Sequence, residues 1–245
     1  MQIITVAIQK GGTGKTSTAL ALAQAAAYRG YSVLAIDLDP QANFSFALGA
    51  EAAGDTLNAY KLLTGATGLE LVQCTEYGVD IIPAVSELST LTSGKGTARR
   101  LQQKLEGIKD NYDFIIIDTP PTAGELQYNA LQAATGLIIP LEADIYNLQS
   151  LCQMADTATQ IKESNPDLSI LGFVLAKFNN RSNLAKQMQQ TLTERAAALG
   201  IPFLGAIRQG IVIREAAALQ QSLFEYAPNS KPAQDYLQLF DAINK

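Results

Sequence analysis

The chain has 245 residues, 47% apolar and 17% charged, which is enough to bury one substantial core and too apolar for a disordered segment. Lys and Arg number 18 against 23 Asp and Glu, a net charge of −5, so no bulk positive field draws in nucleic acid, although a local patch remains open to it. There is no histidine, and Cys74 and Cys152 lack Cys-x-x-Cys spacing and read as ordinary half-buried thiols; catalysis must rest on Lys, Asp, backbone N–H groups and a metal ion.

The first element is a β-branched run, Ile3, Ile4, Val6 and Ile8, of buried-strand type. It ends in a glycine-rich turn, and helical residues 17–29 follow from Thr16 with Ala19, Leu20, Leu22 and Ala23. Strand, glycine turn and helix form the context of a phosphate-binding loop, here Lys10, Gly11, Gly12, Thr13, Gly14, Lys15, Thr16 and Ser17. The glycines let backbone N–H groups converge on a phosphate, and the helix N-terminus adds partial positive charge. Lys15 can reach the β- and γ-phosphates, and the Thr16 hydroxyl can ligate Mg²⁺. The pattern G-x-x-x-x-G-K-[ST] fails at its first position, Gln9, and the lysine that follows, Lys10, is surplus to the cradle. Gly-Lys-Thr alone also occurs in glycine turns that bind nothing.

A second buried run, 32–36, ends in Asp37-Leu38-Asp39-Pro40-Gln41-Ala42-Asn43, placing Asp37 and Asp39 at the carboxyl end of a strand, where open parallel sheets bind ligands. At i and i+2 the two carboxylates point to opposite sides and differ in role, unless both merely cap the next helix. A short helix over 55–63 is expected, then one strand around Leu69–Cys74 and another over 79–84. Residues 86–95 read as a loop or irregular helix, and 97–109 as a helix with Leu101, Leu105 and Ile108 on one face. The uninterrupted run Phe114–Ile117 closes on Asp118, followed by Thr119-Pro120-Pro121. An aspartate ending a strand is often a turn former; with a phosphate loop upstream it becomes a candidate to hold Mg²⁺ or its water opposite Thr16.

Strands over 137–141 and 170–175 continue the alternation around helical residues 146–163, and Lys177, Phe178, Asn179 and Asn180 come after the second of them. Helical residues 183–199 should carry Leu184, Met188, Leu192 and Leu199 inward. The last core strand is 203–207; Arg208-Gln209-Gly210 leads into a short helix near 213–221. A C-terminal helix over 233–243 carries Ala233, Tyr236, Leu237, Phe240 and Ile243 on one face and Asp235, Gln238 and Asp241 on the other, a polarity suited to docking on the core and unsuited to an anionic membrane. No apolar run approaches the ~20 residues of a membrane span, and the opening run is a core strand rather than a signal peptide, so a cytoplasmic protein is expected. The alternation predicts a single α/β domain over 1–245, a doubly wound, mostly parallel sheet with helices on both faces.

The segment Lys10-Gly11-Gly12-Thr13-Gly14-Lys15-Thr16 resembles the deviant Walker A loop of the ParA/MinD superfamily of P-loop ATPases, whose signature is the first lysine. Asp37-Leu38-Asp39-Pro40-Gln41 is similar to the same family's sequence, with Ala42 standing where the family has glycine. So are Asp118-Thr119-Pro120-Pro121, Asn129-Ala130-Leu131 and Tyr226–Lys231, the last with Ala227 departing from the pattern. The resemblance spans nearly the whole chain, in the short form without an N-terminal helix-turn-helix domain.

It implies ATP and Mg²⁺ as cofactors, a homodimer formed on ATP binding, and slow, partner-stimulated hydrolysis. Thr16 and Asp118 would hold the metal with Asp37 in support, Asp39 would orient the attacking water, Lys177, Phe178, Asn179 and Asn180 would fall where related enzymes place residues beside the nucleotide base, and Asn179 and Arg208 would bind the nucleotide. Lys10 would reach across the dimer to neutralise transition-state charge, as an arginine finger does elsewhere. The implied partners are a centromere-binding ParB-like protein and non-specific DNA, with nucleoid association if the DNA is bound. Arg181 matches one DNA-contacting arginine of the family, Val212 replaces a second, and Lys186, Arg208 and Arg214 complete the candidates. Arg181 and Lys186, about 140° apart at ~100° per helical residue, make no tight stripe. A MinD-like membrane regulator would need a basic amphipathic C-terminal helix, a reductase a cysteine cluster site, and a metabolic ligase neither Lys10 nor Asp-Pro-Gln. An ATPase switch that positions a protein cargo without DNA is the remaining alternative.

Overall fold

A computed structural model of the chain describes residues 1–52, 57–65, 72–92 and 97–244. Within them eight strands form one sheet: β1 (Gln2–Val6), β2 (Val33–Asp37), β3 (Gln73–Cys74), β4 (Val79–Ile82), β5 (Phe114–Asp118), β6 (Gly136–Leu141), β7 (Ser169–Phe178) and β8 (Phe203–Arg208). Their spatial order is β3-β4-β2-β5-β1-β6-β7-β8, and every pairing is parallel except β3 with β4. The helices are α1 (Lys15–Tyr28), α2 (Asn43–Ala47), α3 (Ala59–Thr64), α4 (Arg100–Leu105), α5 (Glu125–Ala133), α6 (Tyr146–Lys162), α7 (Asn183–Ala198), α8 (Val212–Ala218), α9 (Leu223–Tyr226) and α10 (Lys231–Ile243).

β2, β5 and β6 are buried at every position, which explains why they read as continuous apolar runs rather than alternating ones. Side chains still alternate between two cores. Ile4, Val6, Ala35 and Ile116 meet α1 and α10 on one face, where Phe240 sits edge-on to Phe114 with ring centroids 5.2 Å apart. Leu34, Ile36, Ile115 and Ile117 meet α4 and α5 on the other, and Leu137, Ile139 and Phe173 meet α6 there. From β1 the chain moves to β2 on one side, while β6, β7 and β8 build the other, so the strand order reverses beside β1 and opens a crevice at its carboxyl end. The register aligns Val6 with Asp118 and Asp37 with Asp118, bringing the phosphate loop and both aspartates to that edge at one level.

The expected doubly wound sheet is therefore present, with local departures. The helix expected over 55–63 is α3, started by Asn58, whose side chain accepts from Lys61 N at 2.9 Å; residues 55–56 lie outside the described residues. Of the strand expected around Leu69–Cys74, residues 72–74 are described; Gln73–Cys74 form a strand, which is antiparallel, with Cys74 exposed rather than half-buried. Residues 86–90 form a 3₁₀ turn, the irregular helix expected there; 93–95 fall outside the described residues. The helix over 97–109 is shorter: a 3₁₀ turn at Thr97–Arg99 precedes α4, and Gly107, a poor helix former, follows its end.

β7 runs on to Phe178, so Lys177 belongs to the strand. In α7 only Leu192 and Ala196 are buried, while Leu184 and Leu199 are 65% and 48% exposed, because this helix covers the sheet only near its edge. Arg181 precedes the Ser182 cap and is not on that helix, which removes the angular argument relating it to Lys186. α10 begins at Lys231, with Ser230 as cap; Leu237 is half-buried against the core as expected, and Leu239, not named in the sequence reading, is buried as well. Asp235 is 9% exposed and faces Arg208, not solvent.

Candidate functional site

The phosphate loop is shaped by two left-handed glycines, Gly12 at φ 77° and Gly14 at φ 88°. Gly14 is the N-cap of α1, and a Cβ there would stand 3.0 Å from Ala176 Cβ, so glycine is what lets the loop pack on β7. Lys15 and Thr16 open α1, one residue or two before the helix start read from the sequence, and their N–H groups therefore sit at the positive end of a 14-residue helix. Lys15 is 6% exposed, and its Nζ donates to the Lys10 carbonyl at 2.8 Å. Burial lowers its pKa, while the charges of Asp118 and Asp39 oppose that fall.

The three aspartates occupy three environments. Asp37 is fully buried, yet accepts from Asp39 N at 3.0 Å, Ser45 N at 2.9 Å and Ser45 Oγ at 2.7 Å. Burial pushes its pKa up to about 6 against the pull of those donors. It thus ties the strand end to α2. Asp39 accepts from Gln41 N at 3.0 Å, an Asx turn, and lines a cavity of about 300 Å³ with Gly11, Gly12, Lys15, Thr16 and Lys177. Asp118 is fully buried, and neither carboxylate oxygen has a hydrogen-bond partner. Burial first, then the Asp37 charge, holds its pKa well above the ordinary range, with the Thr16 hydroxyl and Lys15 pulling the other way.

A buried carboxylate whose neighbouring hydroxyl stays outside full hydrogen-bond geometry is costly unless a cation meets it. Hard oxygen ligands from one hydroxyl and one carboxylate, with the rest of the shell left to phosphate and water, suit Mg²⁺. No cluster of three His, Cys, Asp or Glu side chains suited to a metal occurs among the described residues. Asp37 is already satisfied by protein donors, so its part is supporting the turn that carries Asp39.

The cavity beside the loop continues past Lys177 into one of about 460 Å³, lined by Gly14, Ser17, Gln209, Gly210, Arg214 and Tyr236. Asn179 and Arg208 line a third space, of about 330 Å³, with Arg181 and Lys231. They are brought together there, away from the phosphate loop. Arg208 is also engaged: Nε lies 2.8 Å from Asp235 Oδ2 and Nη2 lies 2.5 Å from Asp235 Oδ1. Arg181, Lys186 and Arg214 are exposed. Residues that sequence reasoning did not single out are Ser45, which satisfies Asp37, and Asp235, which neutralises Arg208. Lys177, expected among the residues beside the base, touches the phosphate loop instead, through the Gly12 carbonyl.

The AAA domain family matches residues 1–170. The chromosome-partitioning ATPase Soj of Thermus thermophilus is 34% identical over 244 residues, covering 98% of this chain and 94% of that protein. The septum site-determining protein MinD of Pyrococcus horikoshii, solved with Mg-ADP, superposes with a TM-score of 0.80 at 28% identity over 100% of this chain and 96% of its own. Cobyrinic acid a,c-diamide synthase of Mycobacterium smegmatis, solved with an ATP analogue and magnesium, gives 0.84 at 26% identity over 98% and 93%. The match across nearly the full length, on a sheet edge that carries the loop and the strand-end aspartates, means that this chain belongs to the ParA/MinD-type P-loop ATPases of the AAA domain family.

Proposed function

We propose that the chain binds ATP with Mg²⁺, forms a homodimer on doing so, and hydrolyses the nucleotide slowly as a switch that partitions or positions DNA together with a ParB-like partner. The observation that carries the nucleotide part is the partnerless Asp118 carboxylate beside Thr16 and Lys15 at the head of α1. Lys15 and the loop N–H groups bind phosphate; Thr16 and Asp118 hold Mg²⁺, which supplies charge neutralisation at the phosphates. Asp39, aimed into the loop cavity, orients the attacking water, and Lys10 reaches the partner's nucleotide. The larger cavity beside Gly14 and Ser17 takes the nucleoside end. Arg181, Lys186 and Arg214 are the exposed cations for a DNA backbone; Arg208 contributes less, its charge being matched by Asp235.

Two observations favour the second reading, a switch that positions a protein cargo: the net charge of −5 and the neutralised Arg208. An Asp39→Ala variant decides between them, since it should keep ATP and accumulate as a dimer. If that dimer retains duplex DNA on a filter at low salt, and Arg181→Glu reduces retention, DNA is the track; no retention at any salt leaves the protein-cargo reading. Retention should fall with salt by roughly 0.9 log unit per phosphate contact for each tenfold rise.

A further inference from the structure

Lys177 carries three unusual features at once. Its backbone is left-handed, with φ 52°, a conformation that an ordinary side chain adopts only at a cost. The pairing of β7 with β8 passes from Leu175–Ala206 to Phe178–Arg208, so β7 has one residue more than its partner over that step. This is a bulge, a device that redirects side chains next to sites. Its Nζ, finally, donates to the Gly12 carbonyl of the phosphate loop at 2.6 Å and to Glu142 Oε1 at 2.7 Å. In regular geometry on β7, which pairs with β6 and β8, successive side chains would simply alternate across the sheet; here the bulge aims the ammonium at the junction of the loop cavity and the larger one beside it, both of which it lines.

The exposed ion pair is a poor explanation for the strain. Lys177 and Glu142 side chains are 54% and 42% exposed, and ion pairs so open to water contribute little to stability. Among the described residues the ammonium uses two of its three donors on Gly12 and Glu142, leaving one for a ligand. Glu142, for its part, sets a negative charge beside a site built for polyphosphate.

We propose that Lys177 is a nucleotide-binding residue, a second ammonium beside Lys15 for the phosphate chain, and that Glu142 competes with the phosphates for it when the site is free. The proposal rests on the ATP reading above and deepens it. The pair then acts as a built-in counterion: nucleotide entry exchanges Glu142 for phosphate at Lys177, while the Gly12 bond keeps the loop against β7.

The test is equilibrium titration of ATP and ADP, by calorimetry, against the wild type, Lys177→Met, Glu142→Gln and the double variant. Lys177→Met should weaken both nucleotides about tenfold, the lower end expected for a charged hydrogen bond at a half-exposed site. Glu142→Gln should tighten them about two- to fivefold, and this gain should vanish in the Lys177→Met background. A lysine that merely braced the loop predicts otherwise, namely loss in both single variants. Loss in both, or no change in either, overturns the assignment while leaving ATP binding intact. A wild type that binds no nucleotide overturns the ATP reading itself, and this assignment with it. Both residues are exposed, so circular dichroism melts of the variants should match the wild type and separate binding from folding.

Discussion

Replacing Asp118 with asparagine removes one negative charge from a fully buried site in which both carboxylate oxygens lack hydrogen-bond partners. Burying an ionised carboxylate costs several kcal/mol, of which the Lys15 ammonium returns only part, since burial still holds the Asp118 pKa well above the ordinary range. The asparagine amide in the same place is itself unsatisfied, at about 1–3 kcal/mol. The difference favours the nucleotide-free variant by about 2 kcal/mol, or ~4–8 °C in melting temperature for a domain of this size. The pH dependence has a definite sign. A carboxyl whose pKa is raised on folding contributes stability that is fully present below its unfolded value, and this is lost as pH rises through the folded value. Asp118 is raised, so the advantage of Asp118→Asn should be absent near pH 4 and grow toward pH 8. Asp37, raised from 3.8 to about 6, adds a loss of the same sign over that interval, so nucleotide-free protein should be most stable on the acid side. Mg-ADP should reverse the order at pH 8, raising the wild-type melting point and leaving the variant unmoved. Differential scanning calorimetry at pH 5 and 8, with and without Mg-ADP, measures all four cases. An Asp118→Asn protein that melts below wild type at pH 8 without nucleotide refutes the argument that this carboxylate awaits a cation.

Lys15→Ala should abolish ATP binding in calorimetry, since it removes the one buried ammonium of the loop; unchanged affinity would remove the phosphate-loop assignment. Asp39→Ala should bind ATP with near wild-type affinity, elute as a dimer and show no phosphate release above background, and equal hydrolysis rates in variant and wild type would exclude the water-orienting role. Phe240→Ala should cost about 3–5 kcal/mol in urea melts, because the ring is 1% exposed and packs on Phe114 and Tyr31. Leu192→Ala should cost about 2–5 kcal/mol and Leu184→Ala under ~0.5, a contrast that tests which face of α7 is buried.

The architecture and the phosphate loop were legible because they rest on local signals. Continuous apolar runs mark strands covered on both faces, and glycines at 12 and 14 mark left-handed backbone. What escaped depends on partners distant in sequence. Asp235 fell on the polar face of a helical projection, but Arg208, 27 residues away, draws it inward. Leu184 and Leu199 fitted an apolar stripe, yet α7 lies over the sheet margin, where there is not enough surface to cover them. The bulge at Lys177 comes from a mismatch between β7 and β8 and cannot be read from either strand alone.

The register of β2 and β5 sets Asp37 and Asp118 side by side at the same level of the sheet, with Asp39 one turn further on. Two buried carboxylates so placed cannot both be charged cheaply, and the fold treats them unequally. Ser45 and two backbone N–H groups are spent on Asp37, which makes it a fixed support for the Asp39 turn. Asp118 has the Thr16 hydroxyl nearby but outside full hydrogen-bond geometry, so its ionised form becomes favourable only when a cation arrives beside Thr16 and Lys15. Metal arrival would then do two things at the same edge. It would relieve the repulsion between the strand ends, and it would release Lys15 from its role as the nearest compensating charge, freeing it to serve the phosphate. Nucleotide binding and local stability are coupled in this arrangement through one carboxylate, which is why a single asparagine should separate them.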